Sequence, residues 1–203
     1  MFISHYYKFI FIKTRKTAGS SIEKFFYDSL KETDIIFGGM PPENFAPVNC
    51  DAENPEHIGH KIIKSLYPFE WDNYYKITIE RNPWDKMVSL YHWQKSVKPY
   101  YNIGNFEDYI KYRRKLWYKN DWELYTEKDT PCVDRIMQYE SLNEDMALLC
   151  NHLGINYNND LISLKLKGNY RTNKNYRNYY STETKSIVQQ SYSNTIDFFN
   201  YKF

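Results

Sequence analysis

The sequence predicts an α/β protein, a three-layer fold in which helices flank a central parallel sheet. Two short apolar stretches with strand character, residues 7–12 and 74–80, are each followed by a polar turn and then by apolar residues at helical spacing. Strands that alternate with helices form parallel sheets, because each connecting helix packs on a face of the sheet. The length of 203 residues favours one domain, residues 1–203, with room for a hydrophobic core.

The first strand–turn–helix unit opens with residues 7–12, which are β-branched and aromatic, as in a buried strand. A helix is expected to begin at Ser20 or Ser21 and to run to about Leu30. Glu23 follows Ser20 by three residues, which is the spacing of a capping box. The apolar positions of this helix are Ile22, Phe25, Phe26 and Leu30.

The second unit repeats this order, with residues 74–80, "YYKITIE", as the strand. Asn82 suits the cap of the next helix, and Pro83 suits its first position. The apolar stripe that follows has helical spacing and consists of Trp84, Met87, Val88 and Tyr91.

The segments around the second unit are assigned more coarsely. Residues 37–55 are rich in glycine, proline and asparagine, which predicts a loop. Residues 61–66 are expected to form a short helix, and residues 106–117 a basic helix.

The last third of the chain continues the alternation. A strand is expected to end near Tyr139, and Asn143 is expected to cap a helix over residues 144–153 that stops at Gly154. Residues 167–180 predict a polar loop. Thr182 is then the expected cap of a helix that runs to about Phe199.

Composition and charge exclude several classes of function. The formal net charge of +2 argues against a general nucleic-acid coat, which needs a strongly basic face. Three cysteines, an odd number without a CxxC pair, predict buried thiols in a reducing compartment and neither a disulfide framework nor a structural zinc site. No apolar run reaches the roughly 20 residues that span a bilayer, and the start lacks a cleavage site of small residues, so we expect a soluble, cytoplasmic protein.

The turn of the first unit, "KTRKTAGSS", has the chemistry of an anion site. A strand that enters a helix through a tight turn presents backbone N–H groups at the positive end of the helix dipole. Cationic and hydroxyl side chains surround that position: Lys13, Arg15, Lys16, Thr17, Ser20 and Ser21. The lysine precedes Gly19, so the G-x-x-x-x-G-K-[ST] loop of ATP and GTP sites is absent. Taken alone, the stretch also fits an ordinary turn with surface lysines.

The second turn supplies another pair of anion ligands. Arg81 directly follows the strand and can fork onto a phosphate. Ser89 lies eight residues on, about two helical turns into the next helix. Because both strand ends meet at one edge of a parallel sheet, we expect one nucleotide with phosphates at two positions to fill both turns. A surface ion pair is the alternative for Arg81.

Four stretches of the chain, in order, carry a family resemblance. "KTRKTAGSSIE" resembles the 5′-phosphosulfate loop of the sulfotransferases, whose carbohydrate branch, the heparan and uronyl type, reads near P-K-T-A-G-T-S. "ERNPWDKMVSLYHW" resembles their 3′-phosphate motif, R-[DN]-P-x-x-R-x-x-S-x-Y. "YESL" is similar to the downstream Y-E-D-L segment, and the tail from residue 173 resembles the closing aromatic segment of the family. Arg15 stands where the family usually has proline, and Lys86 stands where it often has arginine.

The resemblance implies a P-loop-NTPase-like fold and an activity. The donor would be 3′-phosphoadenosine 5′-phosphosulfate (PAPS), and the product 3′,5′-adenosine bisphosphate (PAP). A sulfuryl group would pass to a hydroxyl or amine of an acceptor, with a carbohydrate as the family-level expectation. No metal is required, because side chains supply the cations.

The resemblance also assigns roles to single residues. Lys16 would stabilise charge on the departing phosphate oxygen. The 5′-phosphosulfate would be held by the turn, which comprises Arg15, Lys16, Thr17, Ala18, Gly19, Ser20 and Ser21. Arg81 and Ser89 would hold the 3′-phosphate. In the tail loop, Lys174 and Arg177 would close over the nucleotide, and Tyr170 or Tyr176 could pack there.

A hydroxyl acceptor needs a general base. The candidate is His60 in "EHIGHKI", between the two phosphate motifs, because some uronyl sulfotransferases place a base histidine in a similar stretch. His57 and Glu56 are the reserve candidates.

Residues 111–122, "KYRRKLWYKNDW", fit either an exposed helix or a sugar-binding surface. In the second interpretation aromatic rings stack on the sugar, and the cations Arg113, Arg114 and Lys115 meet its acidic groups.

Three other functions remain open at this point. A P-loop-type kinase would need a G-K-[ST] loop and a magnesium-binding aspartate at a strand end. A non-catalytic relative that binds a nucleotide or a glycan is favoured if His60 lies far from the donor pocket. A purely structural α/β domain would make both phosphate motifs coincidental. The acceptor and the oligomeric state cannot be inferred from the residues.

Overall fold

The computed structural model describes residues 1–39, 41–43, 45–48, 50, 54–97, 102–113, 120–157 and 175–203. The chain divides into two compact units. We call Met1–Glu80 with Glu123–Leu166 the sheet unit, and Arg81–Trp122 with Lys167–Phe203 the helical unit. The expectation of one domain over residues 1–203 stays a prediction.

The helices and strands follow each other in the order β1 (Phe2–Ser4), β2 (Phe9–Ile12), α1 (Gly19–Tyr27), β3 (Ile35–Ile36), α2 (His60–Leu66), α3 (Pro68–Asn73), β4 (Tyr75–Glu80), α4 (Pro83–Val97), α5 (Phe106–Asp108), α6 (Trp122–Tyr125), β5 (Thr126–Glu127), β6 (Thr130–Pro131), β7 (Arg135–Gln138), α7 (Leu142–Leu153), α8 (Thr182–Ser191) and α9 (Ser193–Phe199). Short 3-10 turns occupy Pro55–His57, Tyr139–Ser141 and Tyr176–Tyr179, and a π-helical turn extends α5 over Tyr109–Arg113.

The five-stranded sheet has the order β3-β1-β2-β4-β7. The last three strands in this order, β2, β4 and β7, run parallel to one another. Ile12 lies opposite Thr78, and Ile79 lies opposite Met137. Strand β1 pairs antiparallel with both β2 and β3. The α/β fold with a central, mostly parallel sheet and flanking helices is therefore confirmed, whereas the two antiparallel strands at one edge were not predicted.

The core of the sheet unit joins both predicted strands to α1. Ile22 and Phe26 of α1 are fully buried, as their helical spacing predicts. They pack with rings and aliphatic side chains from the strands and from α7: Phe2, Phe9, Phe11, Ile36, Ile77, Ile79, Met137, Met146 and Leu149. This packing fixes the position of the turn between β2 and α1.

The helical unit has its own core around α4 and α8. The predicted apolar stripe of α4 is buried there, and it packs against Tyr109, Val188, Tyr192 and Ile196. Tyr180 donates to the carbonyl of Trp84 at 2.8 Å, and the indole of Trp84 donates to the carbonyl of Lys185 at 3.2 Å. The segment after residue 175 is thereby attached to the first turn of α4.

Several predicted caps differ from those that form. The capping box of Ser20 and Glu23 is absent, because α1 begins one residue earlier and Glu23 turns to Lys13. Asn143 lies inside α7, which begins after Ser141. The cap expected at Thr182 lies one residue earlier, at Ser181, which forms a capping box with Thr184. Asn82 was placed correctly, since its side-chain oxygen accepts from the amide of Trp84 at 3.1 Å.

Element lengths also differ from those expected. The strand predicted over residues 7–12 is β2, and it begins only at Phe9, because residues 5–8 form a turn in which Lys8 has a φ of 52°. The helix expected over residues 182–199 divides at Tyr192 into α8 and α9. Gly154 terminates α7 as predicted, with a left-handed φ of 68°. Within the part of the chain that the structure describes, no helix is long and apolar enough to cross a bilayer.

Candidate functional site

The turn between β2 and α1 has a special backbone. Lys16 and Ala18 adopt left-handed conformations, with φ of 61° and 66°. Each such non-glycine residue costs on the order of 1 kcal/mol or more, and strained backbone of this kind concentrates at functional sites. The carbonyl of Ala18 accepts the first hydrogen bonds of α1, from the amides of Ser21 and Ile22 at 2.9 and 3.1 Å. Left-handed residues before a helix also occur in the backbone concavities that bind anions.

Two threonines fix the shape of this turn from inside. Thr14 and Thr17 are buried, and their hydroxyl oxygens lie 2.9 Å apart. The Thr17 hydroxyl also donates to the carbonyl of Thr14 at 3.1 Å, and the Thr14 hydroxyl donates to the carbonyl of Ile79 in β4. The hydroxyl of Thr17 is therefore directed into the protein. Arg15, Lys16, Ala18, Ser20 and Ser21 are half-buried, while Gly19 is buried.

Lys13 supports the turn through ion pairs. Its ammonium group lies 2.7 Å from Glu23 in α1 and 2.5 Å from Glu56, and the residue is only 4% exposed. Its side chain passes over Gly19, where an added Cβ would come within 2.7 Å of Lys13 Cγ. Gly19 is therefore required by a close approach. The sequence marked Lys13 as one cation of the turn, but it did not predict this buried position.

The two reserve candidates for the base also contact Lys13. Glu56 accepts from its ammonium group, and His57 Nδ1 lies 2.8 Å from its carbonyl oxygen. The 3-10 turn Pro55–His57 is thus attached to Lys13, which directly follows β2 and begins the turn before α1. The contacts of Glu56 and His57 with Lys13 were not predicted, and the role of a base stays a prediction.

His60 begins α2 and is almost completely buried, at 2% exposure. Both of its ring nitrogens are buried, and neither hydrogen bonds to a described residue. Its ring lies 6.2 Å from that of Trp71. Burial lowers the pKa of His60, while the polar backbone of Leu124 and the Glu127 carboxylate act in the opposite direction and offset part of this effect. A neutral imidazole of this kind can accept a proton.

Close packing holds the start of α2 in place. A Cβ at Gly59 would come within 2.9 Å of the Cα of Leu124, so this position also requires glycine. Glu80 ends β4 nearby in the same unit, is 1% exposed and accepts a hydrogen bond from the Tyr125 hydroxyl at 2.9 Å. Among the residues described, no group of three or more His, Cys, Asp and Glu side chains is placed to hold a metal ion.

Strands β2 and β4 end at the same edge of the sheet, as predicted. They are parallel, and the Thr78 hydroxyl donates to the carbonyl of Ile12 at 2.8 Å. The turn between β2 and α1 follows β2 at this edge, and the chain leaves β4 for the helical unit at Arg81.

Within the helical unit, Arg81 pairs with Asp85. The Nε and Nη2 atoms of Arg81 both donate to one carboxylate oxygen of Asp85, at 3.0 and 2.6 Å. Arg81 is 7% exposed, and Ser89, two turns further along α4, is half-buried. The four-residue spacing of Arg81 and Asp85 is a helix-pair signal that sequence analysis can detect. The pair of Arg81 with Asp85 was not predicted.

Lys86 occupies the position where the resembling motif often has arginine. It forms an ion pair of 2.9 Å with Asp121, and the two side chains are 3% and 0% exposed. The pair joins α4 to the residue before α6 and lies within the helical unit. Lys86 is therefore a buried structural cation.

The tail of the chain approaches the start of α4. The amide nitrogen of Asn82 donates to the carbonyl of Lys202 at 3.0 Å and to the Tyr176 hydroxyl at 3.5 Å. The exposed guanidinium of Arg177 lies 4.8 Å from the ring of Tyr176 and 5.9 Å from that of Phe203. The structure thus brings the tail to the residue that follows Arg81. Lys174 and Tyr170 lie outside the described residues.

Residues 111–122 are described only in part. Lys111 pairs with Glu107 at 2.8 Å and with Glu183 at 2.6 Å, and the hydrogen bonds to these carboxylates raise its pKa. Tyr112 is 70% exposed. The side chain of Arg113 and residues 114–119 lie outside the described part, so Arg114 and Lys115 stay predictions.

Comparisons with known proteins match the chain to an archaeal protein and, among solved structures, to a mouse enzyme. No protein family model matches the chain. An uncharacterized protein of Archaeoglobus fulgidus is 30% identical over 118 residues, which are 56% of this chain and 93% of that protein. The crystal structure of mouse sulfotransferase SULT7A1 complexed with PAP superposes with a TM-score of 0.48 and 12% identity, over 69% of this chain and 63% of the mouse chain. The match thus spans less than two thirds of the mouse enzyme. The chain belongs to the same family as the archaeal protein.

Proposed function

We propose that this relative of the archaeal protein is a sulfotransferase that moves a sulfuryl group from PAPS to a hydroxyl or amine, most readily one on a carbohydrate. The observation that carries the proposal is the turn between β2 and α1. It combines two left-handed residues, a helix N-terminus and the sequence R-K-T-A-G-S-S at the carboxyl edge of parallel strands. Such an edge is where α/β proteins bind phosphorylated ligands.

In this proposal the turn binds the 5′-phosphosulfate. Lys16 supplies positive charge to the phosphate oxygen from which the sulfuryl group departs. The amides of the turn and the hydroxyls of Ser20 and Ser21 donate to the remaining oxygens. Thr17 contributes by fixing the backbone, because its hydroxyl is directed to Thr14.

The 3′-phosphate is assigned to Arg81 and Ser89, with Asp85 orienting the guanidinium through its two hydrogen bonds. Arginine forks are suited to phosphate, because they offer parallel donors. Arg177 and Lys174 of the tail are proposed to add positive charge to the nucleotide. These assignments need no metal ion.

The chemical step is an in-line displacement. The acceptor oxygen forms a bond to sulfur while the bond between sulfur and the 5′-phosphate oxygen breaks, and PAP leaves with the bonding electrons. The acceptor hydroxyl loses its proton, for which His60 is the proposed base. Its lowered pKa suits this role, since the imidazole must be neutral to accept a proton. The displacement resembles phosphoryl transfer, in which positioning and charge stabilisation supply most of the catalysis.

A second candidate function is a non-catalytic protein that binds the same nucleotide. The 2% exposure of His60 favours it, because a base must reach its substrate. A P-loop-type kinase is disfavoured, since the turn lacks G-K-[ST].

The proposed setting is the cytoplasm, on the sequence grounds given above, and no nucleic-acid partner is proposed.

The test is a melting-temperature titration with PAP and, separately, with 5′-AMP, both without magnesium. A ligand present at 100 times its Kd stabilises the native state by roughly 2.7 kcal/mol. We expect PAP to raise the melting temperature much more than 5′-AMP does. In a separate assay, we expect radiolabelled sulfate to pass from PAPS to a glycan. No shift with either nucleotide would reject the donor site. A shift without transfer to any acceptor would favour the non-catalytic alternative.

A further inference from the structure

A cleft of about 720 Å³ opens in the sheet unit at the end opposite the phosphate turn. Its walls are the turn between β1 and β2, the passage from α3 into β4, and the end of α7, where it is lined by residues 6–8, 72–76, 134 and 152–154. The six residues of β4 separate the two ends by roughly 17 Å, at about 3.3 Å per residue. The volume lies in the range of about 300–1,000 Å³ that ligand sites occupy.

Several aromatic rings are among the residues that line this cleft. The rings of Tyr75 and His152 lie 4.3 Å apart and are tilted by only 35°, so the imidazole of helix α7 stacks on the ring of strand β4. Tyr6 meets Tyr7 edge-on at 4.8 Å, and Tyr6 is 64% exposed. His152 is exposed as well. The negative faces of such rings attract the slightly positive C–H groups of a flat ligand.

Polar groups around the rings are held in fixed positions. Lys76 donates through its ammonium group to the carbonyls of Trp71 and Tyr74, at 3.2 and 2.7 Å. The Asp134 carboxylate accepts a hydrogen bond from the backbone amide of Lys76 at 2.7 Å and forms an ion pair with the Lys76 ammonium group at 3.0 Å. The side chain of Asp134 nevertheless stays 41% exposed. A partly exposed carboxylate that is already oriented can accept from a ligand hydroxyl at low entropic cost.

The charges of the lining balance. Two cations, Lys8 and Lys76, stand against two carboxylates, Asp72 and Asp134, so the described lining has no net formal charge. A polyanion such as a nucleic acid gains little from such a surface, because its binding depends on an excess of cations. A ligand rich in hydroxyl groups, with flat apolar faces, matches the rings and the carboxylates together.

We propose that this cleft is a carbohydrate-binding site, separate from the proposed donor site. The sugar stacks on the ring of Tyr6 and on the outer face of the exposed His152 imidazole, and it donates hydroxyl hydrogen bonds to Asp72 and Asp134. The inference goes beyond the proposed transfer reaction. It holds whether or not the phosphate turn binds PAPS.

The test is affinity electrophoresis of the full chain in native gels that contain one polymer at a time. The probes are hydroxyethyl cellulose, glycol chitin and unsulfated heparosan. We expect at least one of them to retard the protein. Tyr6→Ala and His152→Ala should each weaken that binding roughly 2- to 10-fold, as expected for the loss of one ring contact. Both side chains are exposed, so the variants should keep the melting temperature of the parent protein.

Phe69→Ala is the matched control, because Phe69 is 65% exposed on α3 but does not line the cleft. Its retardation should equal that of the parent protein. Arg81→Ala should also be retarded normally, and saturating PAP should not release the polymer. Failure of all three polymers, unchanged binding in the Tyr6 and His152 variants, or release by PAP would each overturn the proposal. Retardation by DNA that the same two variants abolish would assign the cleft to a different ligand.

Discussion

The side chain of Lys13 lies across Gly19, so closely that a Cβ at Gly19 would approach Lys13 Cγ to 2.7 Å. Lys13 cannot move aside freely, because its ammonium group is bound between Glu23 and Glu56. The first residue of α1 is therefore glycine for reasons of space, although alanine is the better helix former.

Gly19→Ala should destabilise the protein by roughly 1–3 kcal/mol, the usual cost of forcing an extra methyl group into a packed site. Lys24→Ala, at an exposed position of the same helix, serves as the control and should change stability by less than about 0.5 kcal/mol. Urea unfolding followed by circular dichroism measures both. Equal stabilities of the two variants would mean that Lys13 yields easily.

Lys86→Met should cost about 3–5 kcal/mol, because it leaves the buried Asp121 carboxylate without its cation. Lys86→Arg should keep the pair and lose far less. Lys95→Met, on the exposed side of the same helix, is the control and should stay within about 0.5 kcal/mol. Urea midpoints compare the three variants, and a neutral Lys86→Met would show that the pair is dispensable.

The pH dependence of stability should carry a contribution from His60. Burial holds its pKa below the ordinary value of about 6.5 in the folded protein, so the unfolded chain binds the proton more readily. Its contribution is therefore complete above about pH 6.5 and is lost as the pH falls through the unfolded value toward the folded one. A single group gives a slope of at most about 1.4 kcal/mol per pH unit in that window.

His60→Gln removes this titration while it keeps a polar side chain. Unfolding free energies of the parent protein and the variant, measured between pH 7.5 and 5, should converge as the pH falls. A constant difference between His60→Gln and the parent would contradict a lowered pKa.

The sequence predicted those features that neighbouring residues determine. The parallel strands, the turn before α1 and the cap at Asn82 all follow from apolar spacing and turn chemistry within a few residues. The missed features are non-local: Lys13 meets Glu56 across 43 residues, and this contact network draws Glu23 away from the predicted capping box. Strands β1 and β3, with three and two residues, are too short to show a period.

The candidate site divides along the same line. Motif spacing marked Lys16, Gly19 and Arg81 as candidates, and their roles stay predictions. The burial of His60, in contrast, depends on packing with Trp71 and near Leu124, which lie outside its own motif. The pairing of Lys86 with Asp121 likewise spans 35 positions and needed the structure. Residue types thus indicated a candidate anion site, whereas tertiary packing determines which of its side chains are buried and which are exposed.

Arg81→Ala should weaken PAP binding about 10- to 100-fold, as expected for the loss of charge-assisted hydrogen bonds to one phosphate, and should leave 5′-AMP binding unchanged. Asp85→Asn should weaken PAP in the same selective way but to a smaller extent, because the guanidinium loses its orienting carboxylate. Isothermal titration gives both affinities. Arg135→Ala, which breaks the comparable pair with Asp145 in the sheet unit, is the control. Equal losses for PAP and 5′-AMP in Arg81→Ala would remove this residue from the 3′-phosphate.

His60→Ala should lower the turnover number by roughly 10²- to 10⁴-fold, the usual contribution of a general base, while the Kd for PAP stays within a factor of two. Glu56→Gln should affect the reaction less, because Glu56 is engaged with Lys13. Radiolabelled transfer at saturating PAPS measures the first quantity, and calorimetry with PAP the second. Because His60 is 2% exposed, its loss also removes packing, so the melting temperature must be compared as well. A stable variant that binds PAP and turns over normally would exclude His60 as the base, whereas a loss of PAP binding together with stability would assign it to the structure of the sheet unit.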